Sequence, residues 1–283
     1  MAPTLVVSIE RFASAIALLD ERALETALAE PSNADPRWHS YAEYPREMMF
    51  VAYQRLCELA VRSVSQRVAD YPQSLAQRIL GQHQIAYRDL TGALVGIPDH
   101  ALDHVPAEGE WSLRATMTHM LSAESGFRIA IEWALEQRGV LELTADQFDS
   151  RAALRRSREL YPLDGDLSSF LASFAEVHGR VLSAFSGLTD DDLELPMIWW
   201  DGIMPIRELL LGFNAHMREH VVQLDKIIHG IDLTVTEGAR LARLIHHALG
   251  ECEAASIGAP DTASPLQADI EAQFALWNSI LSA

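Results

Sequence analysis

The stretch Ile206-Arg207-Glu208-Leu209-Leu210-Leu211-Gly212-Phe213-Asn214-Ala215-His216-Met217-Arg218-Glu219-His220 decides how the chain is read. Leu209, Leu210, Phe213 and Met217 recur at three- and four-residue spacing, and Leu224 and Ile228 continue the stripe. The pattern predicts an amphipathic helix over about 205–229 with one face in a core. His216 and His220 stand beside that face. Residues i and i+4 of a helix lie on one side, about 6 Å apart along the axis, so two imidazoles there can chelate one divalent ion. Eleven histidines in 283 residues produce about 0.4 such pairs by composition alone. From spacing alone, a metal pair and two hydrogen-bonded core histidines therefore fit equally. A second pair, His100 and His104, lies between Pro98 and Pro106 in a segment too short for a stable helix, and reads as a solvated loop.

Outward from this helix the same period runs through almost the whole chain, and no run alternates with the two-residue period of a strand between Asn-Gly or Asp-Gly turns. Helices are predicted over about 7–30, 43–69, 73–95, 112–138, 167–187, 205–229, 236–253 and 265–281. Segments rich in Pro, Gly, Asp and Ser separate them, including Pro31 to Pro36 and the long crossover from Gly139 to Asp166. Ser112, Asp166 and Ser264 stand where N-caps belong, and Pro205 where a first-turn proline is tolerated. A weak repeat is visible. Helix 73–95 leads through Gly96-Ile97-Pro98-Asp99 to Ser112-Leu113-Arg114, and helix 167–187 through Gly187-Leu188-Thr189-Asp190 to Pro205-Ile206-Arg207. Two such hairpins make a four-helix bundle over 73–230, with helical flanks over 1–72 and 231–283. The fold class is all-α. Phe12, Ile16 and Leu19 in the first helix and Ile270, Phe274, Trp277 and Ile280 in the last form stripes that must be buried, and are expected to pack on the bundle.

A catalytic metal usually takes three protein ligands and keeps one position open. His119, two turns inside the helix that Ser112 begins, lies at a depth comparable to His216 and is the third ligand of choice. Thr116, Ser122, Ala123 and Gly126 share its face, and Gly212 and Gln223 that of His216. Small residues around three imidazoles leave room for a substrate, since a packed interior would fill it. Gln223 and Glu219 could orient the ligands, although Glu219 is rotated off the His216 direction and reads more simply as a solvated acid. Glu124 points farther from the site still. Trp111, Trp199 and Trp200 flank the loops over the site and could line an aromatic mouth, or only pack over the bundle end. Arg114 and Arg207 hold equivalent repeat positions and could meet a substrate carboxylate, or pair with the many acids. His39, His83, His178, His229, His246 and His247 read as structural.

A Trp-Ser-x-Arg helix start, a histidine seven residues after that serine, and a later helix of form L-L-x-x-x-x-H-x-x-x-H resemble the DinB/YfiT-like superfamily of metal-dependent enzymes. The resemblance covers about residues 73–230. It implies a four-helix bundle in which His119, His216 and His220 bind a divalent ion, zinc or nickel. It also implies relatives such as mycothiol-dependent maleylpyruvate isomerase and bacillithiol or glutathione S-transferases, in which a metal holds a low-molecular-weight thiol as thiolate. The competing reading is a non-catalytic binding or interaction module whose ion is structural or absent. The extra helices depart from the compact family pattern and leave room for a homodimer.

Other classes find no support. Forty acidic against twenty-two basic residues give a net charge of −18, which repels phosphate backbones and anionic membrane. A small-molecule substrate is the expected partner. No apolar run reaches the length of a membrane span, and the N-terminus lacks a basic region before its short apolar run. Cys57 and Cys252 form neither a metal knuckle nor a disulfide framework, as suits a reducing cytoplasm. No phosphate-cradling Gly motif or G-x-S-x-G elbow is present.

Overall fold

Cap chemistry sets where the helices begin. In a computed structural model that describes residues 1–28, 44–139, 142–161, 164–200, 202–259 and 264–282, the side chains of Ser112, Asp166 and Ser264 accept hydrogen bonds from the backbone N–H groups of Ala115, Ser169 and Gln267. Each satisfies a donor that the first helical turn leaves without a partner. Eleven α-helices and one two-stranded hairpin result among the described residues. They are α1 (Pro3–Ala17), α2 (Glu21–Leu24), α3 (Pro45–Asp70), α4 (Leu75–Ala93), α5 (Leu113–Glu136), α6 (Ser150–Leu160), α7 (Leu167–Phe185), α8 (Asp190–Leu193), β1 (Pro196–Trp199), β2 (Gly202–Pro205), α9 (Ile206–Gly230), α10 (Glu237–Ser256) and α11 (Pro265–Leu281). The fold is all-α, as the helical period requires. No helix among the described residues is long and apolar enough to cross a membrane. The expected Pro31 to Pro36 break and His39 lie outside the described residues.

Three elements differ from the sequence expectation. The first helix, expected to run from 7 to 30, stops at Ala17, and Asp20 then caps α2 by accepting from the Ala23 N–H. The crossover from Gly139 to Asp166 contains α6, which was expected to be irregular. Asp149 caps it through the Ala152 N–H, and its buried face is Ser150, Ala153 and Ser157, small residues that give no apolar stripe. The hairpin was not expected either. Its register pairs Pro196 with Pro205 and Trp199 with Gly202, and Trp200 at its turn has φ 53, a left-handed conformation usually left to Gly or Asn.

The chain forms two compact units. One comprises Met1–Pro72, Gln84–Gly96 and Thr234–Ala283, and the other Gln73–His83 and Ile97–Leu233. The division differs from the expected one within α4, whose second half groups with the first unit. In that unit the flank stripes bury against one another. Phe12 sits 5.2 Å from Phe274 and 5.4 Å from Trp277, and α3 and α10 supply Leu56, Ile245 and Leu249 to the same core. Arg88, buried in α4, pairs with Glu10 of α1 and Glu253 of α10, so its charge is compensated where water is excluded.

The second unit is the bundle, built from the start of α4 with α5, α7 and α9, and with α6 and the hairpin against α5. Its two loops close alike. The Arg114 N–H donates to the Leu102 carbonyl at 2.9 Å, and the Ile206 N–H to the Leu195 carbonyl at 3.0 Å. Both contacts tie the start of a histidine-bearing helix to the preceding loop.

Glycine contacts give a test of this packing. A Cβ on Gly238 in α10 would meet the carbonyl oxygens of Ile16 and Leu19, the latter at 2.7 Å, whereas one on Gly179 in α7 meets nothing within 4 Å. Backbone oxygens cannot swing aside. Gly238→Ala is expected to destabilise by about 1–3 kcal/mol, and Gly179→Ala to stabilise by about 0.5–1 kcal/mol through helix propensity. Urea denaturation of the two variants reads both signs.

Candidate functional site

Two helices bring the predicted histidines together. α5 carries His119 and α9 carries His216 and His220, and the helices pack side by side. The Nε2 atom of His216 lies 3.0 Å from that of His119 and 3.1 Å from that of His220. Three imidazole nitrogens this close cannot all be satisfied by hydrogen bonds to one another, because each has a single in-plane position filled by either a proton or a lone pair. Three lone pairs pointing at one cation are the arrangement they suit. Bonds of about 2.0–2.1 Å from each nitrogen to a shared ion are compatible with these separations.

The electrostatics keep the lone pairs available. Burial, with the neighbouring imidazoles His220 and His119 adding to it, pushes the His216 pKa down to about 4. Burial first and His220 second also lower that of His119. Protonating His119 or His216 in this place would put a cation in a poorly solvated site against other imidazoles, so these two rings are neutral at pH 7. His220 has its tautomer fixed from behind: Nδ1 lies 2.7 Å from Oε1 of Gln223, which can only accept, so Nδ1 carries the proton and Nε2 the lone pair. Glu219 is exposed, and its negative charge acts on His119 against the downward shift.

Aromatic rings surround the cluster. Trp111 stands 5.1 Å from the His119 ring and is stacked at 6.4 Å with His220, while Phe127 meets His216 edge-on at 5.5 Å. Trp111 is partly exposed beside the imidazoles. Trp199 does not line a mouth. It is buried and edge-on to Phe127 at 5.1 Å. Trp200 is exposed at the hairpin turn, where its N–H donates to Ser150 Oγ.

One expectation about the approach is corrected. Gly126 leaves no hole for a substrate, because Leu154 of α6 fills it; a Cβ there would lie 2.6 Å from Leu154 Cδ2. Gly212, in contrast, has only Leu209 of its own helix near its missing side chain. The two arginines take the pairing with acids that their sequence setting favours. Arg114 holds both oxygens of Asp103 and the Gly165 carbonyl, and Arg207 holds Glu194 and Glu208. Both tie loops to helix starts.

A second group was missed. His83 of α4, Glu124 of α5 and His178 of α7 meet inside the bundle, all buried. Oε1 of Glu124 lies 2.8 Å from Nε2 of His83 and 3.1 Å from Nδ1 of His178, and those two nitrogens are 3.1 Å apart. The imidazoles hold the Glu124 carboxyl down at about 2 against the upward push of its burial. One signal was readable: Glu124 sits in a run of buried-type residues, Met120 to Phe127, where an acid demands a partner. Which histidines provide it depends on the packing of three helices.

Chain comparisons place the segment in a family. The family model of the DinB superfamily matches residues 82–224, half of the chain and the segment that holds His83, Glu124, His178 and the three site histidines. No curated protein and no solved structure matches the chain.

The depressed pKa of His216 carries a prediction with a definite sign. The unfolded chain takes up this proton near the ordinary 6.5 and the folded protein only near 4, so metal-free protein loses stability as pH falls through that window. An NMR titration should place the His216 midpoint near 4, and His220→Ala should raise it by removing a neighbouring imidazole.

Proposed function

Since the chain belongs to the DinB superfamily, we propose that His119, His216 and His220 hold one divalent cation, zinc or nickel, at the centre of a metal-dependent enzyme. The convergence of three imidazoles carries this reading. Among the described residues, no fourth His, Cys, Asp or Glu joins the group, so a position remains for water or a substrate atom, as in catalytic rather than structural sites. His119 and His216 are only partly buried, which gives that position a path to solvent.

When bound, the cation supplies Lewis acidity, lowering the pKa of a coordinated water or thiol so that it is a nucleophile at neutral pH. The chain's own groups do the rest. Gln223 keeps the proton of His220 on Nδ1, which aims the other ring nitrogen inward. Trp111 and Phe127 exclude water from the flanks of the imidazoles, strengthening every electrostatic interaction between them. Trp111 offers an aromatic face to an organic substrate. Arg114 and Arg207, occupied by acids, are spent on the frame rather than on substrate.

The activity that fits is a thiol-dependent S-transferase or isomerase, in which a small cofactor thiol takes the open position as thiolate. The resemblance of the Trp111 to His119 and Leu210 to His220 motifs to such enzymes supports it, and an acidic chain is consistent with a small-molecule substrate rather than nucleic acid.

Cobalt as a spectroscopic substitute tests the site and the thiol together. Adding a low-molecular-weight thiol to cobalt-loaded protein should produce a thiolate-to-metal charge-transfer band, and His216→Ala should abolish it. Gln223→Leu should weaken metal binding about 10–100-fold with little loss of helicity. Cobalt binding without a thiolate band removes the transferase reading, and a band that survives in His216→Ala removes the site.

A further inference from the structure

We propose that His83, Glu124 and His178 form a second cation site, buried in the bundle and separate from the three-histidine centre, that takes a first-row divalent metal. The geometry points to it first. Three potential ligand atoms, each from a different helix, form a triangle with edges of 2.8, 3.1 and 3.1 Å. Those edges match the 3.0 and 3.1 Å separations of the histidine centre.

Hydrogen bonding alone leaves that triangle in conflict. If both imidazoles donate to Oε1 of Glu124, two like-polarised N–H groups converge on one oxygen from nitrogens only 3.1 Å apart, where they repel. If one imidazole instead accepts from the other, it loses its hydrogen bond to the carboxylate. No arrangement of protons on two neutral rings makes all three contacts favourable. A single cation between three lone pairs does.

Charge gives the second reason. Glu124 is 4% exposed, and the groups that act on it are His83 and His178. A carboxylate so far from water needs a positive partner, and a divalent ion supplies one while also engaging the imidazoles. The Nδ1 atom of His83 is buried without a hydrogen-bond partner, so no neighbour dictates which nitrogen bears the proton, and the Nε2 lone pair can face the cluster. Two imidazoles and a carboxylate suit zinc, iron, nickel or manganese, and not calcium, which asks for more oxygen ligands. Being enclosed, such a site would fill as the bundle folds and would join α4, α5 and α7 rather than meet substrate.

Zinc stoichiometry decides the matter. Protein refolded with zinc and passed through a desalting column should hold two equivalents by elemental analysis. The double variant His216→Ala/His220→Ala, in which the buried cluster is intact, should keep one. Glu124→Gln, close in size and still an acceptor, should also keep one, and its remaining zinc should leave quickly to a chelator, while the wild type releases its two in a fast and a slow phase. Zero equivalents in the folded double variant overturns the proposal, as does a slow phase that persists in Glu124→Gln. One equivalent in the wild type that survives the double variant and disappears in Glu124→Gln supports the buried site and instead removes the histidine-centre reading.

Discussion

Ionisable side chains inside an apolar bundle must be neutral, paired or bound to a cation, and this constraint organises the middle of the second unit. Helix α5 bears most of it. His119 and Glu124 are five residues apart, which turns their side chains roughly 140° from one another, and each therefore serves a different cluster. His119 faces α9 and its two imidazoles, while Glu124 meets His83 and His178. The remaining buried positions of α5, among them Met117, Met120, Leu121 and Phe127, fill the space between these two polar directions.

Much of this was legible in the sequence, for reasons that differ between elements. Long helices announced themselves because their buried faces are apolar: α9 through Leu209, Leu210, Phe213 and Met217, and α11 through Ile270, Phe274 and Trp277. Helix α6 did not, because it buries serine and alanine. Its cap Asp149 and eleven residues without Gly or Pro were the signal, and periodicity was the wrong instrument for it. The hairpin escaped because its turn uses Trp200 in place of the usual Asn or Gly.

The candidate site shows the same division. An i, i+4 pair on one helix is a local pattern, so His216 and His220 can be paired from spacing, and His119 follows once helix depths are compared. His83, Glu124 and His178 have no local pattern. They stand on three helices separated by 41 and 54 residues from Glu124, and only the register of the bundle makes them neighbours. Small residues mislead for a related reason. Gly126 and Gly212 look alike in sequence, but Leu154 fills the first gap and not the second, and Leu154 belongs to the helix that periodicity could not find.

Two phenyl rings keep the polar clusters distinct. Phe213 contacts the His83 ring at 5.2 Å and Phe127 at 5.3 Å, and Phe127 in turn meets His216 at 5.5 Å. Phe213 lies one turn before His216 on α9, and Phe127 one turn after Glu124 on α5, so the same register that aims the ligands also inserts the rings. Rings there exclude water from the gap, and a charge on one side is poorly screened from the other. The Glu124 carboxylate acts on His216 against its downward shift. A cation at either cluster would therefore be felt at the other through apolar packing, without a shared ligand.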